Sequence, residues 1–274
     1  MNTRRLLKFT VPQKCQFEMA LDESRLTQKM IAESHKLSGF YEDIYSLVVA
    51  ALLRPGDAVV DVGAHVGYYT LLAASAVGPA GQVFAFEPAP DNVQYLQENI
   101  RHNSFKNINV SPCVVGQDQG SATLYYDSDN DGGHAVWDVS LAHGRVKCRE
   151  DSKFIRVPRI SLDARFADDP DIHFRLLKID AEGSELEVMK GASNLMTRGG
   201  VDCIMWERND ETFSYMGFTE HDVRETAAHM GYDTCGFVAG RLRRIPFGTV
   251  LSPGERINLF SFSPQFSMEY DVIA

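Results

Sequence analysis

The segment Asp61-Val62-Gly63-Ala64-His65-Val66-Gly67-Tyr68-Tyr69-Thr70 constrains this chain more than any other stretch. The apolar run Ala58 to Val62 reads as a buried strand that ends in a carboxylate, and the backbone then passes through two glycines into a helix containing Leu71 and Leu72. Glycine allows a tight turn and a close approach of backbone to a ligand. Twenty residues after Gly67, a second apolar run, Val83 to Phe86, ends at Glu87-Pro88. A carboxylate at that place can accept both hydroxyl hydrogens of a ribose. Together the two strand ends describe a nucleoside-binding crevice at the carboxyl edge of a sheet.

Charge narrows the choice of nucleoside. A dinucleotide needs its pyrophosphate at the helix N-terminus, and Asp61 just ahead of the glycines would repel it. The full G-x-G-x-x-G spacing is also missing. S-adenosylmethionine carries no phosphate but has an ammonium and a sulfonium, so the same carboxylate attracts it. S-adenosylmethionine is therefore the expected cofactor, ahead of NAD.

Short apolar runs continue to alternate with helical periods, which implies βαβ units and a parallel sheet. Asp91 and Gln94, after Pro90, have capping-box spacing, with Val93, Leu96 and Ile100 as the buried stripe of that helix. Ser184 and Glu187 offer a second box. Ile108 to Val115, Arg175 to Ile179 and Val201 to Trp206 are nearly continuously apolar, as strands covered on both faces must be. Ser121 to Tyr126 and Phe154 to Ile160 read as strands flanking a polar stretch rich in Gly, Asp and His, a candidate substrate loop. Thr219 to Met230 reads as a helix closed by Gly231. Tyr232 to Val238 and Ile257 to Phe262, joined by Arg241 to Gly254, suggest a terminal antiparallel pair. No linker splits the chain, so residues 1–50 are expected to form an extension with a covering helix around Tyr41 to Leu53, and 51–274 one α/β domain.

Against 37 Asp and Glu stand only 27 Lys and Arg, a formal charge of −10. That balance opposes attraction to nucleic acid or anionic lipid, and neither is an expected partner. The longest apolar run, around Leu47 to Leu53, is too short to span a bilayer. Cys15, Cys113, Cys148, Cys203 and Cys235 are scattered, odd in number and contain no C-x-x-C, so neither a disulfide framework nor a zinc ribbon is suggested. The cytoplasm is the expected compartment.

These motifs resemble the FkbM family of S-adenosylmethionine-dependent methyltransferases, over roughly Tyr41 to Glu207. The residues that carry the resemblance are Tyr41-Glu42 before a helix, Gly56-Asp57 leading into DVGAHVGYYT, Phe86-Glu87-Pro88, Leu162-Asp163, and Lys178-Ile179-Asp180-Ala181-Glu182-Gly183 followed by Glu185. The resemblance implies an α/β, Rossmann-like class I methyltransferase: a mostly parallel seven-stranded sheet with one antiparallel strand and an inserted β excursion. It also implies, commonly, O-methylation of a hydroxyl on a small molecule or sugar. By position, Asp61, Gly63 and Gly67 would hold the methionine end, with His65 and Tyr68 in the same turn. Glu87 and Pro88 would meet the ribose, and Val114 to Gln117, including Val115, the adenine. Asp180 would face the cofactor ammonium or the attacking hydroxyl. His65 stands where the family usually has Asn, and Asp127 to Arg149 has no counterpart, so acceptor choice is expected there.

An alcohol acceptor needs a base within hydrogen-bond reach. The candidates are Asp180, Glu182, Glu207 and His134, of which histidine suits neutral pH by its ordinary range. Each has a plainer reading: Glu182 and Glu185 can serve a helix N-terminus, and His134 can be a surface loop histidine. Lys178, inside an apolar strand, is expected to pair with a carboxylate. Asp180, Glu182 and Glu207 could instead hold Mg²⁺, which favours oxygen ligands. Phe213, Tyr215 and Phe218 read either as an acceptor pocket or as core, and Arg241, Arg243 and Arg244 as an acid-binding patch or a hairpin tip. The other functional readings are N- or carboxyl-methylation, an NAD-linked oxidoreductase, and a catalytically silent nucleoside-binding module.

Overall fold

In residues 4–21 apolar side chains recur with period two, and the computed structural model folds this stretch as a hairpin. The structure describes residues 3–12, 15–144, 153–238, 240–252, 254 and 256–266; Cys148 and residues 145–149 of the unmatched segment lie outside them. Arg4–Val11 (β1) and Cys15–Asp22 (β2) pair antiparallel, burying Phe9, Val11, Cys15, Phe17, Met19 and Leu21 on one face. Leu26–Ser38 (α1) stops at Gly39, and Asp43–Leu52 (α2) follows.

Ala58–Val62 (β3), Tyr68–Val77 (α3), Gln82–Phe86 (β4) and Pro90–Asn103 (α4) are the expected βαβα run. The capping box at Asp91 is not formed. Pro90 occupies the first helical turn, Ala89 is the cap and no side chain caps it, because proline's fixed φ suits that place and moves Asp91 inside the helix. Asparagines of α4 secure the exposed edge of β2 instead: Asn103 and Asn99 Oδ1 accept the Glu18 and Ala20 amides, both at 2.7 Å.

The strand expected over 108–115 is two. Ile108–Ser111 (β5) pairs with β4, whereas Val114–Val115 (β6), beyond Pro112, joins another sheet. Proline has no amide hydrogen to continue a ladder. Gly120–Tyr125 (β7) and Phe154–Ile160 (β8) complete that three-stranded excursion in the order β6-β8-β7.

Leu162–Arg165 (α5), Phe174–Ile179 (β9), Glu185–Lys190 (α6), Ser193–Thr197 (α7) and Val201–Arg208 (β10) return the chain to the main sheet. The second expected capping box is also absent: the Ser184 hydroxyl makes no cap bond, and Glu185 Oε1 takes the Ala181 amide at 2.9 Å. Asp210–Met216 (α8) and Glu220–His229 (α9) follow; Thr219 and Asp222 form a true capping box on α9. Asp233–Val238 (β11), Arg241–Arg244 (β12) and Ile257–Phe262 (β13) close the fold.

The main sheet runs β12-β11-β13-β10-β9-β3-β4-β5. Seven strands form the expected mostly parallel sheet of a class I methyltransferase, with β13 reversed. An eighth, β12, pairs antiparallel on the β11 edge, so the basic run is an edge strand. Neighbours on β3, β9 and β10 alternate between two cores. Val59, Leu176 and Met205 face the hairpin, α2 and α3; Val60, Leu177 and Ile204 face α5, α6, α7 and α9. Strands covered on both faces have no polar face to show, which is why they read as unbroken apolar runs.

Candidate active site

Strand β3 has β4 on one side and β9 on the other, and the connections leave in opposite directions. That is the switch point where α/β sheets bind ligands. A cleft opens there over the carboxyl ends of the strands. Asp61, Gly63, His65, Tyr68, Glu87, Pro88, Val115, His134, Asp180, Glu182 and Glu207 all line it. Gly67 does not; it caps α3 at φ 99°, and a Cβ there would sit 2.5 Å from Leu96 Cδ1. Its role in the fold is to let α3 and α4 approach.

The first turn is held by backbone. Gly63 and Ala64 amides reach the Phe86 carbonyl at 2.9 and 3.0 Å, and the Asp180 amide reaches Val62 O at 3.1 Å. Asp61 is buried, and its Oδ2 accepts from Thr70 Oγ1 at 2.5 Å. Its Oδ1 has no hydrogen-bond partner and lies 3.7 Å from Lys178 Nζ, which also meets Asp180 Oδ2 at 3.2 Å. Lys178 thus pairs with a carboxylate, as expected, and with two. Burial alone would lower its pKa, but Asp180, Asp61 and Glu42 outweigh that and raise it, so it remains an ammonium.

At the β4 end, Glu87 Oε2 accepts the His65 amide at 2.8 Å and Oε1 the Ala89 amide at 2.9 Å. Burial raises the Glu87 pKa against these bonds. His65 adopts φ 50°, and its Nε2 lies 2.9 Å from Asp131 Oδ2. Burial would raise Asp131, but hydrogen bonding and charge from His65 prevail and hold it at about 2.

At the opposite end, Asp180, Glu182 and Glu207 each bring a carboxylate oxygen within 4.8 Å of the others. Arg256 neutralises this group. It meets both Glu182 oxygens at 2.7 Å, and its Nε lies 3.0 Å from Glu207 Oε1. Arg256 thus engages both Glu182 oxygens and Glu207 Oε1, three of the atoms a hard cation would need, and competes with Mg²⁺ for them, while Glu207 Oε2 has no hydrogen-bond partner. Burial pushes Glu182 up to about 7 and Glu207 well above the carboxylate range, while Asp180 is held low against its burial by Lys178 and Arg256.

His134 accepts the Asp127 amide on Nδ1 at 3.2 Å, which leaves the ring proton of the neutral imidazole on Nε2. Burial lowers its pKa, so it offers a donor at neutral pH. The aromatic trio does not line the cleft: Phe213 and Phe218 pack together at 4.8 Å, and Tyr215 stacks on Trp137 at 4.5 Å. Sequence reasoning passed over Arg256, Tyr69 and Asp131. Glu42 entered only through the Tyr41-Glu42 motif; it is held by Tyr69 Oη at 2.6 Å, and burial raises it. Its position just before a helix was the available signal. Asp131 lies in the Gly-, Asp- and His-rich stretch read only as a candidate substrate loop, and Arg256, in a loop of no distinctive pattern, had no signal.

The methyltransferase FkbM domain model matches residues 61–234. The chain belongs to the FkbM methyltransferase family. Its relatives include the 31-O-demethyl-FK506 methyltransferase FkbM of Streptomyces tacrolimicus, 30% identical over 165 residues, covering 52% of this chain and 62% of that protein. Another is Methyltransferase 1 of Beauveria bassiana, 25% identical over 148 residues, covering 50% and 59%. The matches thus span less than two thirds of either relative. Among solved structures, methyltransferase FkbM from Methylobacillus flagellatus KT aligns with 81% of this chain and 46% of its own at TM-score 0.46 and 17% identity. Among the described residues, no helix of this FkbM-family chain is long and apolar enough to cross a membrane.

Proposed function

We propose that this chain transfers a methyl group from S-adenosylmethionine to a hydroxyl of a small molecule or sugar. The observation that carries the reading is the acidic lining of the cleft: Glu42, Asp61, Glu87, Asp180, Glu182 and Glu207 line it against Lys178 and Arg256, and although burial raises Glu42, Glu87, Glu182 and Glu207, Asp180 is held anionic. Such a lining suits a cationic ligand and repels a diphosphate. Asp61 Oδ1, ion-paired with Lys178 but without a hydrogen bond, is free to accept one from an ammonium, and Glu87 retains lone pairs for ribose hydroxyls. Family membership and the name of the Streptomyces relative support the same reading.

When bound, the cofactor supplies a methyl carbon already activated by a positive sulfur. The protein's part is to align the acceptor, exclude water and take the hydroxyl proton. Tyr41, Glu42 and the α1 residues Thr27, Met30 and Ile31 bring the N-terminal extension over the cleft. Asp180, kept anionic by Lys178, and Glu182 are the groups suited to hold that proton; His134 is better placed to donate a hydrogen bond.

Calorimetric titration with S-adenosylmethionine, S-adenosylhomocysteine and NAD tests the reading. Both sulfur compounds should bind and NAD should not, and Asp61→Asn and Glu87→Gln should each weaken binding at least ten-fold. A folded protein that ignores both sulfur compounds refutes the activity. Undiminished binding by both variants would move the site elsewhere. Methyl release to a panel of alcohols, amines and carboxylates then separates O-methylation from its rivals.

A further inference from the structure

The polar stretch between β7 and β8 was expected to choose the acceptor, yet its first half is built into the opposite end of the cleft. Asn130, Gly132, His134, Ala135 and Val136 line the same cleft as His65, Glu87 and Asn92. One buried side chain, Asp131, binds these pieces together. Its Oδ1 accepts the Thr27 amide at 2.8 Å, and its Oδ2 accepts from Gln28 Nε2 at 3.1 Å and meets His65 Nε2 at 2.9 Å. Its carbonyl takes Asn92 Nδ2 at 2.9 Å. Thr27 Oγ1 donates to Asn130 Oδ1 at 2.6 Å, and a Cβ on Gly132 would lie 2.6 Å from that hydroxyl. The start of α1 and the turn after β3 therefore meet at the carboxylate of one residue of the excursion, and α4 is tied to its backbone carbonyl.

The turn needs this support. His65 is a non-glycine residue at φ 50°, a conformation that costs about 1–2 kcal/mol and persists only where its surroundings over-determine it. The ring is fixed by Asp131 and the amide by Glu87 Oε2 at 2.8 Å. We infer that Asp131 is a positioning residue for the nucleoside end of the cleft, locking the excursion and α1 against His65 and, through the His65 amide, orienting Glu87. The excursion is then a wall of the donor site. This inference rests on the proposed S-adenosylmethionine reading.

The test is calorimetric titration of the full chain with S-adenosylhomocysteine and with 5′-methylthioadenosine, which keeps the nucleoside and lacks the amino acid end. Asp131→Asn should weaken both ligands ten-fold or more, while the wild-type chain binds both. Wild-type affinity in the variant, or a loss confined to S-adenosylhomocysteine, overturns the assignment. Should the variant fail to fold, hydrogen exchange of the wild-type chain decides: S-adenosylhomocysteine should slow exchange at 127–136 and at Thr27, and unchanged exchange there overturns it. A wild-type chain that binds neither ligand removes the cofactor reading itself, an outcome distinct from a variant that binds as well as wild type.

Discussion

Asp61 and Lys178 are direct register partners on β3 and β9, and their side chains meet at 3.7 Å beneath the cleft. The ammonium also lies 5.0 Å from the centre of the Tyr69 ring. The pair is nearly closed to solvent, so the carboxylate at the β3 end depends on a cation supplied by the neighbouring strand.

Removing that cation leaves the buried Asp61 with its Thr70 hydrogen bond alone, and the partly exposed Asp180 with Arg256 as its remaining cation. Lys178→Met should cost about 3–5 kcal/mol of stability, read as a lowered urea midpoint at unchanged slope. A neutral result would show that the two carboxylates find other partners.

Gly63 has φ 75°, and a Cβ there would fall 1.7 Å from the Asp180 carbonyl oxygen. Gly63→Ala should therefore separate the β3 turn from the β9 end, with a loss of about 3 kcal/mol or more and of S-adenosylhomocysteine binding. Gly56 has φ 92° with no atom near its missing Cβ. Gly56→Ala should cost about 1–2 kcal/mol and leave binding intact, a contrast that denaturation and calorimetry read together.

Burial raises Glu185 to about 8 and Glu182 to about 7, from an ordinary 4.5. A carboxyl whose folded pKa is raised binds its proton more tightly in the fold. Its stabilising contribution is complete below the unfolded value and is lost as pH rises through the folded one, with a slope of up to about 1.4 kcal/mol per pH unit for each proton. Stability should fall between pH 5 and 8. Glu185 Oε2 is buried without a partner, so Glu185→Gln should flatten the upper part of that fall in denaturation curves taken at each pH.

Arg256 opposes the burial of Glu182 and Glu207. Arg256→Gln should move the Glu182 midpoint above its present value of about 7, as followed by carboxyl-carbon NMR of glutamate-labelled protein. The pH at which methyl transfer reaches half its maximum should rise with it. An unmoved midpoint would separate Arg256 from the chemistry.

The β3 and β4 ends of the cleft were legible because their residues are local. Asp61, Gly63 and Glu87 sit at strand ends, and the apolar runs that announce those ends are a pattern of period and length. The capping boxes at Asp91 and Ser184 were not, since spacing alone cannot tell which residue lies outside the helix; Pro90 and the Glu185–Ala181 bond decided it. The single strand expected over 108–115 failed for a similar reason: apolar continuity hides a change of sheet at Pro112.

By itself the sequence determined the alternation of strands and helices, and the carboxylates and glycine turn at the β3 and β4 ends where the cleft opens, because these depend on neighbours within about twenty residues. Tertiary structure alone decided which distant charges meet: Lys178 with Asp61, Asp131 with His65, and Arg256 with Glu182 and Glu207. Such pairings follow from strand order and loop docking. Burial, which raises Glu182 and Glu207 and strengthens every charge in the cleft, exists only once the chain has closed around them.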